Sequence, residues 1–217
     1  MVVRRVGALS VALCLLPGLA LSALRVRREL RSLSPESRGR VFAALNVLKA
    51  TSSAEGVRRF GPRFVGYDEI VAQHLAAASS LQCDQAHLGP AFGTFHRALT
   101  LRFEEALLAV DPAIEALPYW DYNVEAIAGD PRASELWAWF GSSEGDASDG
   151  NAVKDGLFAH WRIRANASDI SQHTNPHGLL RSPWNTNPSP FVTRHRFSCG
   201  SETHFRLGTW DTCLRSP

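Results

Sequence analysis

The sequence predicts a mainly helical domain followed by a loop-rich C-terminal third, and three observations carry that prediction. Apolar residues recur at three- and four-residue spacing in three stretches between positions 34 and 110. Ser34-Pro35-Glu36 opens the first stretch with an N-cap residue and a proline at the first helical position, and Asp111-Pro112 closes the third. Beyond Asp121 the periodicity fades, and Gly, Ser, Asp, Asn and Pro crowd residues 129–190.

Residues 1–22 read as a signal peptide. Arg4 and Arg5 precede an almost wholly apolar run, Pro17-Gly18 interrupts it, and Ala20-Leu21-Ser22 supplies the small-x-small pattern of a cleavage site. A retained signal anchor is the alternative, because the run approaches the ~18 residues a spanning helix needs. Either way the chain is expected in the secretory pathway, secreted or in its lumen. If the leader is cleaved Cys14 leaves with it, Cys83, Cys199 and Cys213 meet an oxidising compartment, and Cys199 with Cys213 is the natural pair. Asn166-Ala-Ser168 is a glycosylation sequon consistent with that route.

The first helix carries Val41, Phe42, Leu45 and Leu48 on one face. The second spans residues 67–79 with Tyr67, Ile70, Val71, His74 and Ala78 together, and the third spans residues 95–110 with Leu99, Phe103 and Leu107. The 217 residues suit one domain plus the leader. The 23 basic and 21 acidic residues are interspersed, so no cationic stripe exists to bind nucleic acid. The sequence contains no internal repeat, Gly-rich phosphate loop or Gly-x-Ser-x-Gly elbow.

Three histidines stand out against this background. His74 shares the apolar face of the second helix with Ile70 and Ala78, and His96 opens the third on the side of Thr100, Phe103 and Leu107. His87 sits nine residues before His96 in a loop containing Gly89 and Pro90, able to fold back toward it. Imidazole suits copper, zinc and iron, but one histidine on an apolar face is usually a structural residue satisfied by a carbonyl. Spacing alone therefore leaves a metal site undecided.

The surrounding text adds more. Residues 87–97 read His-Leu-Gly-Pro-Ala-Phe-Gly-Thr-Phe-His-Arg, followed by Phe103-Glu104 and then by Leu117-Pro118-Tyr119-Trp120-Asp121-Tyr122. This order resembles the first-copper signature of the type-3 copper family of tyrosinases, catechol oxidases and hemocyanins. Tyr67-Asp68 ahead of His74 resembles the segment bearing the first ligand, and Arg28 through Glu36 resembles the opening helix. The resemblance covers residues 25–123 well and 175–195 more loosely. It implies a partial type-3 copper helical bundle in which His74, His87 and His96 bind one copper. It also implies that Arg97, Glu104, Trp120 and Asp121 are scaffold, a buried arginine and carboxylates satisfying one another between helices. The chain departs from the family where Gly93-Thr94-Phe95 replaces Leu-Pro-Trp and where Tyr122 follows Asp121.

The family's second set of three histidines lies on a His-x-x-x-His helix and a later Phe-x-x-His stretch. Here His173 and His177 bracket Pro176, which breaks a helix, and His160, His195 and His204 are single. The expected organisation is a signal peptide over 1–22, the first-copper half over 23–125, and a loop-rich connecting segment over 126–217 that ends before the second-copper region. The implied function is a copper-dependent oxidoreductase acting on phenols or o-diphenols with dioxygen, in a fragment or truncated form that lacks the second site. The alternative is a secreted, non-catalytic copper-binding or hemocyanin-like protein. A zinc hydrolase is the weaker third reading, with no Glu at the His-Glu-x-x-His offset to act as base. With half a bundle, Ile70, Leu99, Phe103 and Leu107 are expected to be incompletely covered, favouring self-association.

Overall fold

A computed structural model describes residues 24–80, 82–87, 89–129, 131–165, 177–181 and 187–194. The leader, Cys14, the 166–168 sequon, His173, Pro176, His195, His204, Cys199 and Cys213 lie outside these. Among the described residues the helices are α1 (Pro35–Ala50), α2 (Ser53–Phe60), α3 (Tyr67–Ala78), α4 (Phe92–Val110), α5 (Asn123–Ala128) and α6 (Leu136–Phe140). Among the described residues backbone pairing outside the helices is reduced to isolated bridges, and the domain is mainly helical. None of the described helices is long and apolar enough to cross a membrane.

Helix α1 starts where the sequence says it should. Ser34 Oγ accepts the Ser37 N–H at 3.1 Å, and Pro35 occupies the first turn, where its missing N–H costs nothing. Helix α3 begins after Gly66, whose N–H donates to Ser53 Oγ at 2.9 Å, and Asp68 and Glu69 complement the helix dipole in the first turn. Helix α4 ends at Val110 with Asp111 as its C-cap, as Asp111-Pro112 requires, but starts at Phe92 rather than Phe95. The extra turn places Phe92 one turn below His96. The periodicity did not anticipate α2, which Ser52 caps by accepting the Glu55 N–H at 3.3 Å.

Helices α1, α3 and α4 pack against one another around Val41, Ala44, Leu45 and Leu48 of α1, Ile70 of α3, and Ala106 and Leu107 of α4. Phe64, Val65, Ile114 and Trp161 close this core. Ile70 and Leu107 are buried, contrary to the expectation of incomplete cover, with Trp161 from the chain beyond Asp121 in the same core, whereas Leu99 and Phe103 are only half-buried, as expected. Trp161 enters from that segment, donates from Nε1 to Asn46 Oδ1 at 3.2 Å, and meets Tyr67 edge-on at 5.1 Å. The opposite face of α3 is covered as well, Ala72 and Leu75 packing on Leu180. Helix α3 is thus held on two sides, which fixes the direction of His74.

The segment before α1 runs along the turn after α4. Leu30 N–H donates to the Tyr119 carbonyl at 2.9 Å, and Tyr119 N–H donates to the Arg28 carbonyl at 3.0 Å. Buried Glu104 receives Arg25 at 3.0 Å and Arg27 at 2.7 Å, together with the Leu117 N–H at 3.1 Å. The expected partner Arg97 is instead solvent-exposed on α4. Arg97 stands two turns before Glu104 on α4, about 10 Å away along the axis, and Arg25 and Arg27 take up the carboxylate instead. Arg31 continues the ladder to Glu125 at 2.6 Å, and Trp120 Nε1 donates to the same carboxylate at 2.8 Å. Asp121 caps the next turn, accepting the Asn123 N–H at 3.1 Å.

Candidate metal centre

Three elements bring His74, His87 and His96 together. His74 sits between buried Ile70 and Ala78 on α3, so packing one turn to either side sets its ring. His96 stands in the second turn of α4, where Nδ1 faces the Phe92 carbonyl at 2.9 Å. A carbonyl can only accept, so Nδ1 carries the proton and Nε2 is left with a bare lone pair.

His87 belongs to the loop between α3 and α4. Gln85 N–H donates to the Ala77 carbonyl at 3.0 Å and Ala86 is fully buried, which pins the loop to the end of α3. Asp84 Oδ1 accepts the N–H groups of Ala86 and His87 at 2.8 and 2.9 Å, closing an Asx turn. Its other oxygen lies 2.8 Å from His87 Nδ1. That contact likewise leaves Nε2 of His87 as the free nitrogen.

The three rings lie 5.0 Å (His74–His87), 5.4 Å (His74–His96) and 5.4 Å (His87–His96) apart between centroids. One nitrogen from each falls within 4.8 Å of the other two, and Nε2 of His74 faces Nε2 of His96 at 3.4 Å. Two imidazole nitrogens bound tetrahedrally to an ion about 2.0–2.1 Å away would themselves be about 3.3 Å apart, so the spacing fits one metal ion. Lone pairs converging at such distances repel unless a cation lies between them. The donor set is three imidazoles, which suits copper or zinc and not calcium or magnesium.

Electrostatics agree with a neutral ring at His74. Burial pushes the His74 imidazole below its ordinary value, and the nearby His87 and His96 push it further the same way. At Asp84, partial burial works against ionisation, but the hydrogen bonds from His87 and from the Ala86 and His87 N–H groups outweigh it and hold the carboxyl below its usual range. All three histidines are half-buried, and an open depression of about 560 Å³ lined by Ala77, Cys83, Asp84, Pro90 and Phe95 reaches His87. Phe92 and Phe95 pack against His96 at 4.4 and 5.2 Å and keep that side apolar.

Among the described residues this is the one group of three metal-ligating side chains with such geometry. His160 takes no part in it; it is exposed, has a φ of 52°, and sits edge-on to Phe191. Cys83 is an exposed free thiol on the rim. Asp84 and the Phe92 carbonyl escaped the sequence reading. The Asp-x-x-His spacing was visible, but its meaning depends on the loop closing into a turn.

Residues 65–205 match the common central domain of tyrosinase. The chain is 29% identical over 216 residues to a tyrosinase of Streptomyces antibioticus, covering 86% of this chain and 72% of that protein. It is 34% identical over 148 residues to a tyrosinase of Streptomyces glaucescens, covering 64% and 47%. It is 29% identical over 167 residues to a tyrosinase-like protein of Caenorhabditis elegans, covering 76% and 21%. The chain thus spans under half the length of two of these three relatives.

Proposed function

This chain belongs to the tyrosinase family and covers its first copper-binding half, and from that premise we propose that His74, His87 and His96 hold one copper ion through their Nε2 atoms. The observation that carries the reading is the convergence of the three rings, with a nitrogen from each within 4.8 Å of the others. Copper supplies redox chemistry toward dioxygen and a phenolic substrate. The protein's share is to present three neutral imidazoles from two packed helices and a pinned loop. Phe92, Phe95 and Pro90 keep the approach apolar, so a phenol ring is favoured over a charged molecule.

Within this proposal, residues 23–125 form the first-copper half and 126–217 a connecting segment, and oxidation of phenols or o-diphenols needs a second copper set from outside the described residues. A second reading keeps the same three ligands in a copper-binding or hemocyanin-like protein without turnover. It is favoured by the single histidine triad among the described residues. Residues 1–22 support secretion, with glycosylation at Asn166. The exposed Phe92 and Leu101 on α4 support self-association, which sedimentation velocity over a concentration series checks.

Copper content after reconstitution tests the core of the proposal. About one copper per triad is expected in the unmutated protein, and His74→Ala, His87→Ala and His96→Ala should each lower it sharply while leaving far-UV circular dichroism intact. Equal copper content in all four proteins would remove the three-histidine assignment. An o-diphenol oxidation assay then separates the two readings.

A further inference from the structure

We propose that Asp84 is a positioning residue for the copper ligand His87: its carboxylate fixes the imidazole as the Nδ1–H tautomer and turns Nε2 toward His74 and His96. The inference rests on the three-histidine reading and adds to it a group that binds no metal. Its two oxygens do different work. Oδ1 is committed to the N–H groups of Ala86 and His87 at 2.8 and 2.9 Å, and this builds the turn. Oδ2, 2.8 Å from Nδ1, is spare for the ring. A carboxylate at that distance accepts, so the proton stays on Nδ1 and the Nε2 lone pair faces the triad.

The same task is done differently at His96, where a main-chain carbonyl of the preceding turn holds Nδ1. A loop histidine has no preceding helical turn to supply that carbonyl, so a side chain must take its place. Asp84 also ties ring orientation to loop conformation, since one residue grips both. A carboxylate behind a ligating imidazole orients the ring and raises its basicity, and loss of such a group typically costs about 10–100-fold in metal affinity.

Two variants of the full chain separate ring orientation from turn building. Asp84→Asn keeps the shape, but whichever way its amide turns, an NH₂ group faces either Nδ1 or the two backbone N–H donors. Asp84→Ser keeps one oxygen able to cap the turn and has none that reaches Nδ1. Two readouts are needed: the His87 tautomer in the metal-free protein, from long-range ¹⁵N–¹H correlation spectra, and Cu(I) affinity, by competition with a chromogenic Cu(I) chelator. The expected result is a single Nδ1–H tautomer in the unmutated chain, a mixed or inverted tautomer in both variants, and Cu(I) affinity lowered about 10–100-fold. Asp84→Ser matching the unmutated chain in tautomer and affinity would show that the carboxylate only builds the turn, and would overturn the proposal. Absence of Cu(I) binding by the unmutated chain would defeat the three-histidine reading and the positioning role together. Intact binding in both variants would defeat the positioning role alone.

Discussion

Glu104 shows how much one residue can organise here. It is buried on α4 and receives Arg25, Arg27 and the Leu117 N–H, so it joins the segment before α1 to the turn after α4. Burial opposes its ionisation, but those partners outweigh burial and hold its pKa below the ordinary 4.5. A carboxylate whose folded pKa is depressed stabilises the fold above its unfolded value and loses that contribution as pH falls through the folded one. Stability measured by urea unfolding should therefore decline below about pH 4.5, and Glu104→Gln should flatten that decline. At pH 7 the same variant should lose about 1–3 kcal/mol, because charge-assisted hydrogen bonds are replaced by weaker ones. The sequence reading named Glu104 as scaffold through the resemblance, yet assigned it the wrong arginine. Arg25 and Arg27 lie 79 and 77 residues away, and no local pattern announces a contact of that span.

At the scale of elements, the three long helices were legible because all show apolar spacing, to which α1 adds a capped start at Ser34 and α4 a stop at Asp111-Pro112. The short α2 was not, although Ser52-Ser53-Ala54-Glu55 has the form of a capping box, because its eight residues offer too few turns for a period to show. Its packing is nonetheless strict. A Cβ at Gly56 would fall within the ring of fully buried Phe64, so Gly56→Ala should destabilise the protein by about 1–3 kcal/mol through overpacking, despite alanine's better helix propensity. A chemical-denaturation midpoint shifted downward at unchanged slope checks this. Removing the cap with Ser52→Ala should cost about 1 kcal/mol by the same measurement.

For the whole molecule, the described part of the loop-rich C-terminal third covers the helical core. Trp161 fills the space among α1, α3 and the loop, its ring meeting Tyr67 at 5.1 Å and Phe158 at 4.9 Å. Arg194 adds a clasp, donating to the Phe140 carbonyl at 3.2 Å while stacking over Trp137 at 4.9 Å. Trp161→Ala should cost about 3–5 kcal/mol and loosen α3, so copper binding should weaken although no ligand is touched. Periodicity could not reveal this cover, since contacts such as Trp161 with Asn46 join residues 115 positions apart and its backbone is held by isolated bridges.

The metal centre was legible at all three scales only in part. Spacing placed His74 and His96 on apolar helix faces, the family resemblance joined His87 to them, and the structure supplied the convergence and the Asp84 contact. Extended X-ray absorption fine structure at the copper edge, on the reconstituted Cu(I) protein, addresses the central claim most directly because it counts the ligands themselves. Three imidazoles per copper, falling to two in His96→Ala, is the result the geometry predicts. A shell with one or no imidazole, or with sulfur from Cys83 in the unmutated protein, would contradict it.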